Sequence, residues 1–377
     1  MNLLSSSTSN FDRSPPSPVQ RAVVVVLWTL LFLVVIDVAV GRLFAAPPAG
    51  VEPGPLQRRF AAGRSVEGKL ARMVRETDES SAPMAAAGWY GSRRDQPTRA
   101  EHPGGLFVAA YGMSTSFRVC YAMQELEPTL TLRLVGGPNA PLSHSYDGYL
   151  KDRTRHDADV VLLGVSAWAL AGLESMTQML IHFDAPAPYT YPVYRISDGE
   201  LVATTPLVQS LEELRRAMGD PERWEAFRRQ LAEHDAYYDE LVFRGGPLDE
   251  STLVRLLRRG WGQRQKRRQL AQVHDANGYR SDSTVGPVAR AIIRSFAETV
   301  RADGRLPIVI LFHEKGFDDH LYTLLAPTLR EHEIPFLSTH ELAPASDHDS
   351  FMPDGHFTAE VDKRIAREVL AVISSAH

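Results

Sequence analysis

The sequence predicts a three-layer α/β domain built on a parallel sheet, with an inserted, mostly helical cap and one N-terminal transmembrane helix. Three observations lead there. An uninterrupted apolar segment, Ala22 to Gly41, lies between Arg21 and Arg42 near the start of the chain. From Leu106 onward, short apolar runs alternate with helical stretches, the pattern of a parallel sheet covered on both faces. The third and fourth runs are about 140 residues apart, far beyond an ordinary crossover, which places an insertion at about 170–285.

Residues 1–21 are Ser- and Pro-rich and read as a disordered tail. The segment 22–41, AVVVVLWTLLFLVVIDVAVG, carries one charge, Asp37, near its far end. At ~1.5 Å per residue its helix is roughly 30 Å long and crosses a hydrocarbon core once. It is longer than a signal-peptide core, and Ala45-Ala46 runs straight into Pro47-Pro48, so it reads as an uncleaved signal anchor. A cleavable signal peptide and a buried globular helix are the alternatives. Arg13 and Arg21 precede the span and Arg42, Arg58, Arg59 and Arg64 follow it, so positive charge does not put the N-terminus in the cytoplasm.

Residues 42–105 form a connecting region, where AAPPAGVEPGP (Ala45 to Pro55) predicts a stiff linker. Val66, Leu70 and Met73 give VEGKLARMVRE (Val66 to Glu76) the spacing of a short juxtamembrane helix. The main domain occupies 106–377. Its strands are expected at Leu106 to Tyr111, Leu130 to Val135, Asp159 to Leu163, Leu306 to Phe312 and Ile334 to Ser338. Helices are expected at Thr115 to Leu126, Ser145 to Arg155, Val288 to Ala302, Asp319 to His332 and Thr358 to Ile373. Within the cap, Asp198-Gly199 marks a hairpin in Tyr191 to Pro206. Charged helices follow at Leu207 to Met218, Pro221 to Leu241 and Glu250 to His274.

Composition narrows the function. The 377 residues carry a net charge of −5, and the one basic run, Arg255 to Arg268, reads as a solvated helix face, so no nucleic-acid partner is expected. A single cysteine, Cys120, excludes an intramolecular disulfide framework and a multi-cysteine zinc site. HEKGFDDH (His313 to His320) and SDHDS (Ser346 to Ser350) gather His and Asp without a recognised zinc spacing, so neither a metal nor another cofactor is expected.

Two short motifs carry the chemistry. In YGMSTSF (Tyr111 to Phe117) the first strand ends in Gly112-Met113-Ser114 and passes into a helix. Such a junction exposes a serine hydroxyl at the top of the sheet, beside helix N-terminal amides able to face an oxyanion. Ser114 or Ser116 as a plain N-cap is the competing reading. Near the other end, Asp354-Gly355-His356 precedes the last helix. An imidazole is the natural base for a serine hydroxyl at neutral pH, and a carboxylate fixes its tautomer. A local loop hydrogen bond is the alternative for Asp-x-His, as it is for His144 in the loop PLSHSY.

Together, a strand ending in Gly-x-Ser, the glycines of LVGGPNAPLSHSY (Leu134 to Tyr146), Gly164-Val165-Ser166 and the C-terminal Asp-x-His resemble the SGNH (GDSL-like) hydrolase superfamily. The resemblance covers roughly Leu106 to Ser166 and Leu306 to Ile373, outside the cap. It implies a flavodoxin-like sheet with Ser114 as nucleophile, His356 as base and Asp354 as orienting acid. It also implies oxyanion or substrate contacts from Gly136 or Gly137, Asn139 and Ser166. Two departures bear on rate: Met113 stands where the superfamily usually has Asp, and Ser166 where it usually has Asn.

The function expected from this resemblance is a membrane-anchored serine esterase or O-acyltransferase acting on a cell-surface or exported polysaccharide. Its partners would be a polysaccharide or acylated carbohydrate and a membrane-bound acyl donor protein, with the C-terminal domain outside the inner membrane, in the periplasm. The alternative is a non-catalytic SGNH-like scaffold that binds glycan or a partner in polysaccharide synthesis or export. A third reading makes the cap arginines a docking surface for anionic lipid headgroups or acidic glycan.

Overall fold

The protein is described from a computed structural model, which covers residues 17–43, 54–76, 88–89 and 96–376. Most of the Ser/Pro tail and of the Pro-rich linker lies outside the described residues. The apolar segment forms helix α1 (Pro18–Leu43), 26 residues or about 39 Å long, sufficient to span a membrane. It starts before the apolar run because Pro18 is tolerated in a first helical turn, where its missing amide has no acceptor to lose.

Two short helices follow, α2 (Pro55–Ala62) and α3 (Val66–Glu76). α3 has the bounds its spacing predicts, while α2 was not foreseen. Neither floats free: Val66 and Leu70 are fully buried in the cap core, and the Lys69 ammonium donates to the carbonyl of Ala62 at 2.5 Å and to that of Phe183. Burial lowers the Lys69 pKa to about 7.

The central sheet is made by β1 (Phe107–Gly112), β2 (Thr131–Gly136), β3 (Val160–Ser166), β8 (Leu306–Phe312) and β9 (Phe336–Ser338). It is wholly parallel in the order β2-β1-β3-β8-β9, so the winding reverses at the β1/β3 boundary. Ligands bind outside the carboxyl ends of such sheets at that reversal, which is where Ser114 leaves β1.

Alternation along β1 sorts the core into two layers. Phe107, Ala109 and Tyr111 face α5 (Leu142–Asp152), α10 (Val285–Ala302) and α11 (His320–Glu331). Val108 and Ala110 face α4 (Ser114–Leu126) and α12 (Ala359–Ala376). The helices of the sheet domain fall within a few residues of their predicted positions.

The insertion begins with a 3-10 turn at Trp168–Glu174 and a hairpin of β4 (Val193–Ser197) and β5 (Glu200–Thr204). Asp198 and Gly199 both take positive φ, 52° and 84°, as a type I′ turn requires. Helices α6 (Leu211–Met218), α7 (Pro221–His234), α8 (Glu240–Phe243) and α9 (Thr252–Val273) complete the cap. The helix expected at Pro221 to Leu241 is in fact two. Asp235 ends the first because its buried carboxylate accepts from Ser175 Oγ and from the amides of Met176, Thr177 and Tyr237. A small ladder of β6 (His274–Asp275) and β7 (Gly278–Tyr279) leads back to the sheet domain.

Part of the basic run is not solvated. Arg258 is buried, donating to Asp249 Oδ1 at 2.5 Å and to the Leu241 carbonyl at 2.9 Å. Asp249 also accepts from Ser65 Oγ, which ties the connection between α2 and α3 to the cap.

Candidate active site

β1 ends at Gly112, and Met113, with extended backbone, is the N-cap of α4 and makes no side-chain cap bond. Ser114 is therefore the first helical residue and not the cap. The cap reading fails for Ser116 as well: it is fully buried, and a Cβ at Gly112 or Gly164 would lie 2.3 or 1.9 Å from its Oγ. Those two glycines leave room for the Ser116 side chain where α4 packs over the ends of β1 and β3. The first intrahelical bond runs from Phe117 N to Met113 O at 3.2 Å, so the amides of Ser114 to Ser116 have no acceptor within α4.

Ser114 Oγ lies 2.7 Å from His356 Nε2, and His356 Nδ1 lies 3.1 Å from Asp354 Oδ2. The second contact places a proton on Nδ1 and leaves Nε2 free to accept from the serine hydroxyl. The 242-residue gap is closed by a short loop. Met352 N bonds His356 O at 2.7 Å, Gly355 takes the positive φ of 90° that favours glycine, and Phe351 bridges Phe357. The Phe357 ring is buried under the sheet, which fixes the histidine backbone.

Arg118, four residues after the serine, clamps the two halves of the site. Its guanidinium donates to Asp362 on α12 and to the Phe357 carbonyl, joining the serine-bearing helix to the histidine-bearing loop. Asp354 is 61% exposed; the amide of His356 donates to it at 3.1 Å and, first among several causes, holds its pKa below the usual carboxylate value.

These groups open onto a cleft of about 420 Å³. Of the residues expected from the sequence, Ser114, Asp354, His356 and Asn139 line it, Asn139 with a φ of 55° that this residue tolerates better than most. Gly136, Gly137 and Ser166 do not. Gly136 packs against β1, where a Cβ would lie 1.7 Å from the Gly112 carbonyl oxygen, and Gly137 packs against Gly88. Ser166, at the end of β3, is buried and donates its hydroxyl to Glu314. His144 is not a loop residue: it is buried on α5, its ring 5.0 Å from that of Tyr191, and burial lowers its pKa to about 3.

The cleft also holds groups that residue spacing did not single out: Trp168, His182, Glu314, Lys315 and Phe317. Glu314 is half-buried as a residue, but its carboxyl turns inward to accept from Ser166 Oγ and, at 3.1 Å, from Trp168 N. Burial pushes its pKa up to about 7, against the opposing pull of these bonds. His182 packs edge-on against Trp168 with ring centroids 5.6 Å apart, and burial lowers its pKa to about 4, so it is neutral at pH 7. One signal for Glu314 was available: it stands two residues after a strand at the carboxyl end of a parallel sheet, where ligands collect. Among the described residues, no three His, Cys, Asp or Glu converge to hold a metal ion.

The arrangement supplies a hydroxyl, a base bonded to it, an acid bonded to the base and helix amides beside them that have no acceptor within α4, the parts needed for acyl transfer through serine. No family model matches the chain, and no curated protein matches it.

Proposed function

We propose that this protein is a membrane-anchored, SGNH-like serine esterase or O-acyltransferase that acts on a cell-surface or exported polysaccharide. The observation that carries the reading is the hydrogen-bonded series Ser114, His356, Asp354 at the carboxyl edge of the sheet. His356 Nε2 takes the Ser114 proton as Oγ attacks the acyl carbon. The tetrahedral oxyanion faces the α4 amides and the Asn139 side chain. His356 then returns the proton to the departing alcohol as its bond to the acyl carbon breaks, leaving an acyl-serine. Water or a sugar hydroxyl, deprotonated by His356, attacks that ester and restores Ser114. Trp168 and Phe317 offer aromatic faces of the kind that pack against sugar rings, which favours a carbohydrate in the cleft. α1 holds the domain at the inner membrane with the C-terminal part outside the cytoplasm, beside a membrane-bound acyl donor.

One observation favours a second reading, a glycan-binding scaffold without turnover. Ser166 spends its hydroxyl on Glu314, and loss of one oxyanion donor costs on the order of 100-fold or more. Fluorophosphonate labelling of the full chain and of Ser114→Ala, read by peptide mapping, separates the two. A stoichiometric adduct on Ser114 supports the enzyme, and no adduct on folded protein supports the scaffold. A reporter phosphatase that is active only outside the cytoplasm, fused to the C-terminus, tests the topology: a silent but stable fusion reverses it.

A further inference from the structure

Among the described residues, α1 meets the rest of the protein only through its last two turns. Pro18 to Val35 are exposed throughout, whereas Ile36, Asp37, Val40 and Gly41 are half-buried. The exposed part is about 27 Å long at ~1.5 Å per residue, close to a hydrocarbon thickness, so the domain-side face of the bilayer lies near Asp37.

There the anchor is bonded to the cap. Asp37 Oδ1 accepts from Leu253 N at 2.8 Å and from Ser251 Oγ at 3.1 Å, while Ser251 Oγ also caps Val254 N. The lone acid of the apolar segment thus satisfies one of the N-terminal amides of α9, that of Leu253, and complements its dipole. A Cβ at Gly41 would lie 3.0 Å from Thr252 Oγ1, so the two backbones run close together at this point. α9 thus begins beside the last turns of the apolar span.

The outward side of α9 changes character along its length. Leu256, Leu257 and Trp261 are exposed at helical spacing in the half nearer α1, Leu257 at 74%, and Leu248 on the preceding turn is 65% exposed. The same stripe continues as Arg264, Arg267 and Arg268, all exposed and, among the described residues, paired with no carboxylate. The opposite side, with Arg258, Gly262 and Val273, is buried. An apolar stripe that starts at the membrane anchor and passes into unpaired arginines fits an interfacial helix.

We infer that the outward face of α9 lies in the headgroup layer of the leaflet from which the domain side of α1 emerges. Leu248, Leu256, Leu257 and Trp261 rest at the acyl boundary, and the three arginines meet anionic phospholipid headgroups. The protein is then held at two points, and the cleft has a fixed orientation to the bilayer. Arg259 on α9 pairs with Asp184 at 2.7 Å, and the segment carrying Asp184 also supplies His182 to the cleft. The inference rests on α1 crossing the bilayer, part of the reading above, and holds whatever chemistry Ser114 performs.

Cys120 is fully buried, so a cysteine placed on the surface of the full chain takes an environment-sensitive fluorophore selectively. Four labelled proteins, Phe32→Cys, Leu257→Cys, Ser375→Cys and Leu257→Cys with all three arginines changed to Gln, are reconstituted into phosphatidylcholine vesicles with and without phosphatidylglycerol. The expected result is lipid-borne quenching at 32 and 257 but not at 375. It should be stronger at 257 when phosphatidylglycerol is present, with that increment lost in the arginine variant. Quenching at 32 with a water-like, unquenched label at 257 overturns the inference and leaves the anchor intact. No quenching at either position overturns the anchor as well. A label at 257 that is shielded only at high protein-to-lipid ratio, without lipid quenching, assigns the face to a second copy and also overturns it.

Discussion

Two acid, imidazole and hydroxyl arrangements are built on residues three positions apart, one inside β1 and one just beyond its end. Ser114 meets His356 and Asp354 beyond the end of β1. Tyr111, inside β1, donates to Asp152 at 2.8 Å and lies 2.9 Å from His156 Nε2, while Arg133 clamps Asp152 through two bonds of 2.6 Å. The residue types are similar and the chemistry is opposite. In the inner cluster every group faces another, burial and Asp152 push the Tyr111 hydroxyl well above its usual pKa, and burial lowers that of His156 to about 4. No described cleft reaches it. The outer cluster keeps one open side, a half-buried serine and a solvated Asp354. Open valence toward a cleft, more than residue identity, separates a candidate catalytic constellation from a structural one.

The sharpest way to break this comparison is to exchange the consequences of mutation. Ser114→Ala should reduce turnover of an activated acetyl ester on the order of 10⁴-fold or more with an unchanged thermal midpoint. Asp152→Ala should do the reverse: it strands Arg133 and costs about 3–5 kcal/mol in chemical denaturation. A stable Asp152→Ala protein that has lost activity would end the distinction drawn here.

Glu314 sits between the two classes, bonded inward yet facing the cleft. Its pKa rises from 4.5 in the unfolded chain to about 7, so the folded state keeps the proton longer. Its contribution is complete below pH ~4.5 and is lost as pH rises through about 7, by no more than about 3 kcal/mol. Glu314→Gln should flatten stability over that window, as read from denaturant midpoints; an unchanged slope would place the carboxyl in water. The buried histidines act on the other side. His144 and His156, lowered to about 3 and about 4, withdraw stability as pH falls below ~6.5.

Asp354→Asn should lower turnover by about 10²-fold, less than the ~10⁴ lost with a buried triad aspartate, because water shares its role. A loss as large as that from Ser114→Ala would mean the carboxylate is desolvated once substrate binds. The smallest effect should be that of Tyr111→Phe, which removes one hydroxyl from a charged partner. It should cost about 1.5–3 kcal/mol of stability and leave the pH profile of turnover unmoved.

The difference between the clusters also marks where sequence reading stops. The parallel sheet, the hairpin at Asp198-Gly199, α3 and the helices over 115–126 and 288–302 were legible because each is set by local period and turn chemistry. Ser114, Asp354 and His356 were legible because they flank predictable strand and helix ends. Glu314, Arg118 and the split of the long cap helix were not. Each depends on a partner far away in the chain: Glu314 on Ser166, Arg118 on Asp362, and the Asp235 break on amides near 176. The oxyanion assignments of Gly136, Gly137 and Ser166 came from motif position, and motif position does not say which way a small residue faces.

By itself, then, the sequence determined the elements of the sheet domain, their parallel arrangement, the apolar span and the two motifs that could meet, since hydrophobic period and backbone preference act over a few residues. The tertiary structure alone decided that Ser114 and His356 lie within hydrogen-bond distance, that Ser166 turns to Glu314 rather than to the cleft, and that Asp37 caps α9. Those outcomes depend on burial and on pairing across long chain separations, which desolvation makes favourable only once the whole core has closed.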